Sequence, residues 1–350
     1  MPHPARPTVT LRDVAGAAGV SVATASRVLS GSSRSVAPQY VSRVLEAAAS
    51  LRYTADVSAR AMRRKSDAIA LVADDLTTPS IALVVAAMER QARTVDAFVT
   101  VSATRGLPER QLETVRTLCG FWPRALVLTS SRIATGEVGA RLLEELLAYE
   151  RRGGRVVIYG DIDVPFDSIR VDDRASARLL GAHLAATGHR RPVILAGSRE
   201  RSFAAERTSG FVEGLLGGGV DVQDIRIVNC EVGRRGAFEA TAALIGGGLG
   251  DTDALLAVND QMAIGALAAC RAAGVDVPGR LSVSGFDDIQ LAADVTPRLT
   301  TVALPFADIG ARSIRLALTA GEDRRDVVRE TVMGTLVPGG STVDRAARNR

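Results

Sequence analysis

The N-terminal fold is decided by residues 11–30, which read LRDVAGAAGVSVATASRVLS. Apolar side chains recur in the first half at helical spacing and predict a helix with the inward side Leu11, Val14, Ala15 and Ala18. Gly19 suits the left-handed turn that would follow, and Ser21 is a good N-cap for a second helix. The inward side of that second helix would be Ala25, Val28 and Leu29. Two short helices joined by such a turn are the form in which a protein places one helix in the major groove of DNA.

The outward face of the second helix carries the candidate DNA contacts. The helical repeat predicts that four side chains near its N-terminal half point away from the first helix: Val22, Ala23, Ser26 and Arg27. They are flanked by Ser21 and Thr24. Val22 and Ala23 offer only apolar contacts, for example to thymine methyl groups, so Arg27 is the predicted polar reader of base edges. The pattern by itself is also compatible with an ordinary helical hairpin.

Charge favours the DNA-binding interpretation. Residues 1–66 hold ten Arg or Lys against three acids, a formal charge of +7, whereas the whole chain carries +4 and residues 67–350 therefore −3. A basic head on a slightly acidic body suits a polyanionic partner, because phosphate contacts supply much of the affinity of DNA-binding proteins. Basic runs are often only solvated tails, but this charge lies on a segment that also has a folding pattern.

The head continues after a polar loop at residues 31–35. Pro38 stands at the preferred first-turn position of a third helix, and its predicted apolar stripe is Val41, Val44, Leu45, Ala48 and Leu51. In residues 53–66, Asp56 can cap a helix of only two turns, which is too short to be stable by itself in water. We expect this segment to become ordered only against a partner.

From residue 68, short apolar strands alternate with amphipathic helices. The predicted strands cover 68–73, 97–102, 125–129, 155–159, 192–196, 225–229, 254–258 and 281–285. The predicted helices between them cover 80–95, 108–118, 137–152, 174–187, 207–216, 235–245 and 261–273. This alternation predicts parallel sheets covered by helices on both faces. The strands are too many for one compact lobe, so we predict two doubly wound lobes, in which ligands bind at the carboxyl ends of the strands.

Polar residues stand beyond the ends of four predicted strands. Asp161 follows one strand, Arg207 lies beyond another, and Asn259 and Asp287 follow two more. Carboxylates, an amide and a guanidinium that converge between two lobes would form a hydrogen-bonding cage for a hydroxyl-rich small molecule. Each of these residues alone is more often a helix cap, but their shared location favours a site.

The sequence argues against several other classes of protein. Lys65 is the only lysine of the chain, which excludes a phosphate loop or Schiff-base chemistry in the body, and no Gly-x-Ser-x-Gly elbow is present. The three histidines form no metal motif, and Cys119, Cys230 and Cys270 match no zinc or redox spacing. We therefore predict no metal, no cofactor and no enzyme activity.

The chain has no apolar run as long as a membrane span and no export signal in residues 1–7, so we expect a cytoplasmic protein rather than a secreted sugar-binding one.

Several strings carry a resemblance to a known family. Residues 9–62 resemble the DNA-binding head and hinge helix of the lactose-repressor/galactose-repressor (LacI/GalR) family of bacterial transcription factors. Four further strings resemble signature phrases of the same family and stand in the same order. They are GHRR at 188–191, VNDQMA at 258–263, VSGFDD at 283–288 and PRLTTV at 297–302. The resemblance extends to about residue 342. It implies an all-α helix-turn-helix head and an α/β periplasmic-binding-protein-like body of two doubly wound parallel-sheet lobes.

The resemblance also implies roles for particular residues. In this family the paired hinge helices of a dimer enter the minor groove, where a leucine wedges between base pairs. Met62 stands at the leucine position, with Ala59 beside it on the hinge, although Met62 could instead cap the body. By position, the effector would be held by Asp161, Arg207, Asn259 and Asp287. Glu231 stands where several members have an aromatic ring, which weakens a specific sugar assignment and suggests a polar or cationic group on the ligand.

The sequence therefore predicts a homodimeric transcriptional regulator of the repressor type, controlled by a small molecule. Residues 1–52 would be the DNA-binding domain, 53–66 the hinge, 67–342 the two-lobed effector-binding and dimerisation domain, and 343–350 a tail. The predicted partners are double-stranded operator DNA, a sugar-like effector and a second copy of the chain. An effector between the lobes would change their angle and so order or release the hinge. The alternative is a sugar-binding-type protein or a doubly wound enzyme without DNA function.

Overall fold

A computed structural model describes residues 9–29, 36–51, 53, 67–129, 136–160, 163–197, 202–319 and 326–348. The chain divides into two compact units, residues 1–66 and residues 67–350, which we call the head and the body. None of the helices in these described ranges combines the length and the apolar character that a membrane span requires.

The described residues of the head form three helices around a small apolar core. These are α1 (Leu11–Ala18), α2 (Val22–Leu29) and α3 (Pro38–Ser50). The core consists of small side chains: Val14, Ala15, Ala18, Ala25, Val28, Val44 and Ala47. The predicted inward faces of α1 and α2 are confirmed by this list, with Leu11 and Leu29 packed at its edge. One prediction for α3 is wrong: Leu45 is 52% exposed, because the buried stripe of this helix runs through Val44 and Ala47.

The first part of the body alternates strands and helices in one lobe, which we call lobe 1. Its elements are β1 (Ala68–Ala73), α4 (Pro79–Arg93), β2 (Phe98–Ala103), α5 (Pro108–Gly120), β3 (Ala125–Thr129), α6 (Gly136–Arg151), β4 (Val156–Tyr159) and β5 (Asp167–Val171). β1, β3 and most of β4 are continuous buried apolar runs, as expected for central strands of a sheet covered on both faces.

The chain then builds a second lobe, lobe 2. Its elements are α7 (Asp173–Ala186), β6 (Pro192–Ala196), α8 (Ser202–Gly217), β7 (Arg226–Asn229), α9 (Arg234–Gly246), β8 (Ala254–Ala257), α10 (Asp260–Ala272), β9 (Ser282–Ser284) and α11 (Gln290–Asp294). The four strands form a parallel sheet in the order β7-β6-β8-β9. Helix α7 packs on α8, and α9 packs on α10.

The remaining elements carry the chain back to lobe 1 and then to lobe 2. They are β10 (Thr301–Ala303), α12 (Phe306–Leu318), β11 (Arg329–Val332), β12 (Thr335–Val337) and α13 (Arg345–Arg348). Helix α12 packs on α4, and β11 pairs with β5, which completes a six-stranded parallel sheet in the order β11-β5-β4-β3-β1-β2. β10 and β12 form an antiparallel pair. The body therefore has the predicted architecture of two doubly wound lobes.

Three segments cross between the lobes, at β5–α7, at β10–α12 and at β11–β12. They are tied to one another and to lobe 2 by hydrogen bonds. The Asp172 N–H donates to the Val332 carbonyl over 2.9 Å, which joins the first and third segments. The Gly334 N–H donates to Ser176 Oγ on α7, also over 2.9 Å. Any change of the lobe angle must act on this group of segments.

Helical and strand periodicity did not predict every element of the body. The short strands β5, β10, β11 and β12 and helices α11 and α12 lie outside the predicted series. Helix α8 begins at Ser202 and not at Arg207, so Arg207 lies in its second turn. Of the residues predicted as a tail, Val343 and Arg345 pack on lobe 2, where Arg345 Nη2 donates to the Arg280 carbonyl over 2.9 Å.

Candidate DNA-binding and effector sites

The N-terminal end of α2 is an exposed surface fixed by its cap. Ser21 Oγ accepts from the Thr24 N–H over 3.1 Å and lies 2.8 Å from Thr24 Oγ1, so both hydroxyls belong to the cap. Val22 is 43% exposed, and Ala23 and Arg27 are exposed as well. Ser26 is half-buried. Val22, Ala23, Ser26 and Arg27 therefore share one accessible face of α2, on which Arg27 lies in the last turn, and Ser21 and Thr24 cap the start of the helix.

The turn before α2 is held by α1. Thr10 and Asp13 form a reciprocal capping box at the start of α1, and these hydrogen bonds lower the pKa of Asp13. Gly19 ends the helix in the left-handed region at φ 61°, a conformation that glycine adopts without steric cost. The backbone N–H groups of Gly19 and Val20 then satisfy the carbonyls of Gly16 and Ala15. These local bonds set the angle at which α2 leaves α1.

In the body, Arg207 is the centre of a buried charged cluster. Its Nε donates to Asp173 Oδ1 over 2.7 Å, and its Nη1 donates to the Val258 carbonyl over 2.8 Å. The same Nη1 lies 2.9 Å from Asp287 Oδ1. The guanidinium carbon lies 4.0 Å from the ring centroid of Phe286 and 5.0 Å from that of Phe203. One cation is thus held by two carboxylates and two aromatic rings.

The charges in this cluster shift each other's pKa values. Burial works against the charge of Arg207, but Asp173 and Asp287 outweigh it and raise the pKa of Arg207 above its ordinary value. Burial raises the pKa of Asp287 to about 6, against the opposing effect of Arg207. Burial, followed by Asp173 and Asp287, also raises the pKa of Tyr159 above its usual range. Tyr159 ends β4 of lobe 1, so the cluster includes side chains from both lobes.

Asp287 joins this cluster to a segment that crosses between the lobes. Its backbone N–H donates to the Val302 carbonyl of β10 over 2.9 Å. Its φ is 114°, and that of Asp288 is 54°, so two consecutive non-glycine residues lie in the left-handed half of conformational space. Such strain persists only where surrounding contacts impose it, and it is concentrated at functional sites. The strained backbone aims the Asp287 carboxylate at Arg207.

Asp260, one residue after Asn259, is fully buried and lies behind the cluster. Its Oδ1 accepts from Thr301 Oγ1 over 2.6 Å, and its Oδ2 accepts from the Ile289 N–H over 2.9 Å. Burial, with a further contribution from Asp287, raises the pKa of Asp260 to about 8. This carboxyl therefore fixes the crossing strand β10 to lobe 2.

The structure brings together only part of the predicted effector site. Arg207 and Asp287 are in contact, and Asn259 is buried next to Val258, with its Oδ1 accepting from the Met262 N–H over 2.8 Å as the N-cap of α10. Glu231 is exposed beyond β7, and no hydrogen bond or ion pair within the described ranges joins it to the other predicted residues. Asp161, Ala59 and Met62 lie outside the described residues.

Four residues of the cluster were not predicted: Tyr159, Asp173, Phe203 and Phe286. Two of them had a signal in the sequence. Tyr159 is the last residue of a predicted strand and Phe286 lies just beyond another, so both stand at the ligand-binding ends of strands. Asp173 follows β5, a strand whose sequence DSIRV lacks an apolar run, and Phe203 precedes the predicted start of its helix.

Two family models match the chain over its head and over much of its body. The model described as bacterial regulatory proteins, lacI family, matches residues 10–56, and the periplasmic binding protein-like domain matches residues 182–342. The transcriptional regulator GalR of Escherichia coli K12 is 30% identical over 90% of this chain and 90% of its own length. The chain belongs to the LacI family of bacterial regulators. It is accordingly a helix-turn-helix transcriptional regulator and not an enzyme.

Solved structures of LacI-family proteins share the whole architecture. The lac repressor dimer bound to operator and the anti-inducer ONPF is 25% identical, with a TM-score of 0.81 over 96% of this chain and 99% of that one. The complex of the transcriptional regulator CelR with cellobiose is 25% identical, with a TM-score of 0.69 over 95% of this chain and 99% of that one. The fold predicted for both units is thereby confirmed.

Proposed function

We propose that this LacI-family regulator binds operator DNA through α2 and releases or tightens that binding when a neutral, hydroxyl-rich effector occupies the Arg207 cluster. One observation carries the effector half of the proposal. The cluster combines Tyr159 and the half-buried Asp173, which stand at the ends of lobe 1 strands, with the buried Arg207 and Asp287 of lobe 2, and Asp287 is bonded to a crossing strand. The sugars in the solved relatives, cellobiose and ribose, support a sugar-like ligand.

The DNA half of the proposal rests on the exposed face of α2. Val22 and Ala23 would pack on thymine methyl groups, Ser26 would contact the groove, and Arg27 would donate to base acceptors. Each head of a dimer would read one half-site of a near-palindromic operator. The hinge, with Ala59 and Met62, would enter the minor groove between the two half-sites. Since its target is genomic DNA, the regulator would work in the bacterial cytoplasm.

The cluster has hydrogen-bonding capacity that the protein does not use. Asp287 Oδ1 is buried and pairs with Arg207 Nη1 over 2.9 Å, and no other described residue donates to it. A carboxylate oxygen has two lone pairs, so it can accept a further hydrogen bond from a ligand hydroxyl. Within the described ranges, Arg207 Nη2 and the Asn259 amide nitrogen also make no hydrogen bond to protein, and they are the matching donors. A ligand with adjacent hydroxyl groups both donates and accepts, as this set requires.

We propose that a second copy of the chain covers the edge strands of the body. The lobe 1 sheet ends at β2, where Phe98 and Val101 are exposed, and the lobe 2 sheet ends at β7, where Ile227 is exposed. Exposed apolar side chains on an unpaired edge strand are typical of a protein interface. A homodimer that buried these edges would bring two heads to one operator, as in the lac repressor dimer.

A ligand screen tests the effector site. Ribose, cellobiose and a set of other neutral sugars are added to the full-length protein, and thermal unfolding and operator affinity are measured together. We expect at least one sugar to raise the melting temperature and to change operator affinity. Asp287→Asn should weaken that sugar's binding about tenfold or more, because a charged acceptor of the hydroxyl is lost. Asn also tolerates the left-handed backbone of residue 287.

Asp294→Asn, an exposed change at the end of α11, is the matched control and should respond as the wild type does. Equal responses of wild type and Asp287→Asn to the bound sugar would remove Asp287 from the site. A screen in which no neutral sugar stabilises the protein would contradict the proposed ligand class.

A further inference from the structure

A basic side chain of α3 reaches the turn that leads into α2. Arg43 is exposed, and its guanidinium lies so close to the Gly19 backbone that a Cβ at residue 19 would collide with Nη2 and lie 3.6 Å from Cζ. The Arg43 charge therefore stands beside the start of the helix that would enter the groove, although Arg43 is 16 residues beyond Arg27 in sequence.

The turn does not need Arg43 for its own hydrogen bonds. Two carbonyls in the last turn of α1, those of Ala15 and Gly16, already accept from the backbone N–H groups of Val20 and Gly19. Within the described parts of the head, no carboxylate or carbonyl pairs with Arg43, even though Glu46 lies one turn further along α3. A cation that is positioned but not neutralised retains its full charge for an external anion.

The neighbouring ring of Tyr40 restricts where the guanidinium can point. Tyr40 and Arg43 are three residues apart on α3 and so share one face of the helix. The Arg43 guanidinium carbon lies 6.0 Å from the centroid of the Tyr40 ring, which is 38% exposed. This cation–π contact reduces the conformational freedom that a long side chain would lose on binding.

We propose that Arg43, oriented by Tyr40, binds a phosphate of the DNA backbone beside the N-terminal end of α2. This inference rests on the proposed binding of DNA by α2, and it adds a contact outside the recognition helix. A guanidinium matches phosphate oxygens with two parallel hydrogen bonds. Contacts of this kind set the register of a protein on the duplex and carry no sequence information themselves. Arg43 thus positions the helix from which Arg27 reads bases.

Salt-dependent DNA binding tests the role of Arg43. The affinities of the full-length protein for an operator selected from a random duplex library, and for an unrelated duplex of equal length, are measured by fluorescence anisotropy at several salt concentrations. Arg43→Gln should weaken binding to both duplexes by a similar factor, about tenfold. It should also reduce the slope of log affinity against log salt by about 1, because one phosphate contact is lost.

Three further variants separate a phosphate contact from other effects. Arg43→Lys keeps the charge and should keep the salt slope, and Tyr40→Leu should weaken binding only about two- to fivefold with an unchanged slope. Arg110→Gln removes the same charge from an exposed position on α5 of the body and should leave both duplex affinities unchanged. The melting temperature of each variant should equal that of the wild type.

The outcomes distinguish this inference from the function on which it rests. An unchanged salt slope in Arg43→Gln, a loss confined to the selected operator, or a lower melting temperature of the head would each overturn the phosphate contact. Wild-type protein that prefers no duplex would overturn the proposed DNA binding and this inference with it. Normal operator selection by the wild type, combined with normal affinity of Arg43→Gln, would overturn the inference alone.

Discussion

In the head, the side chains proposed to contact DNA are exposed on α2, whereas in the body the side chains proposed to hold the effector are buried. The head builds its core from alanine and valine and places Val22, Ala23 and Arg27 outside it. The Arg207 cluster lies inside the body, and Phe286, which packs on Arg207, is also part of its main core. Function and stability should therefore separate in the head and be coupled in the body.

The largest expected effect is that of Arg207→Ala. The substitution leaves the buried Asp287 and the half-buried Asp173 without their cation, and removing one partner of a buried ion pair costs about 3–5 kcal/mol. We expect the free energy of unfolding of the body to fall by that amount and ligand binding to be lost. Urea denaturation monitored by circular dichroism measures the first effect, and thermal shift with the bound sugar measures the second.

Arg207→Met is the companion variant, because it keeps an apolar stem against Phe203 and Phe286. It should recover part of the packing and none of the ligand binding. If Arg207→Ala lowered the free energy of unfolding by less than about 1 kcal/mol, the proposed contrast between head and body would be wrong, because the effector site would then be separable from the fold.

Asp260 gives an intermediate effect that depends on pH. Its pKa is raised to about 8 in the folded state from an ordinary 3.8, so the folded state binds the proton more tightly than the unfolded state. The resulting stabilisation is complete below about pH 4 and is lost as the pH rises through 8. Between pH 6 and pH 8 the wild type should lose roughly 2 kcal/mol relative to Asp260→Asn, which cannot ionise.

The difference in the free energy of unfolding between wild type and Asp260→Asn isolates the contribution of Asp260 from those of other titrating groups. Burial lowers the pKa of His189, so that residue acts in the opposite direction and destabilises the fold as the pH falls. Parallel stability-against-pH curves for wild type and Asp260→Asn would show that Asp260 is ionised throughout this range, contrary to its burial.

The smallest effect on stability is expected for Arg27→Ala in the head. Arg27 is exposed, and exposed substitutions usually change the free energy of unfolding by less than about 0.5 kcal/mol. The same variant should lose about 1–3 kcal/mol of affinity for its operator and should discriminate less against other duplexes. Chemical denaturation and competitive gel shift give the two numbers. A variant that lost stability and affinity in equal measure would show that the head couples them as the body does.

Sequence reasoning was more complete for the head than for the effector site. The head site consists of consecutive residues on one helix, so the helical repeat and the Ser21 cap were sufficient to orient it. In the body, the string VNDQMA predicted the right region, and the alternative interpretation of Asn259 as a helix cap is the role that the structure shows on α10. Asp260 was expected to cap a helix or to support the lobe interface, but its partner Thr301 lies 41 residues further on, and the spacing of the string does not predict that contact.

By itself, the sequence determined the features that depend on neighbours within about one helical turn or one strand. These include helices α1, α2 and α3 of the head, the alternation of strands and helices in both lobes, and the polar residues that end the strands. The tertiary structure decided which of those polar residues meet. Arg207 contacts Asp173 and Asp287, which stand 34 residues before it and 80 after it, because α7 packs on α8 and the lobe 2 sheet brings the end of β9 to the same place. Contacts over such separations depend on how the whole chain packs, and local sequence patterns do not predict them.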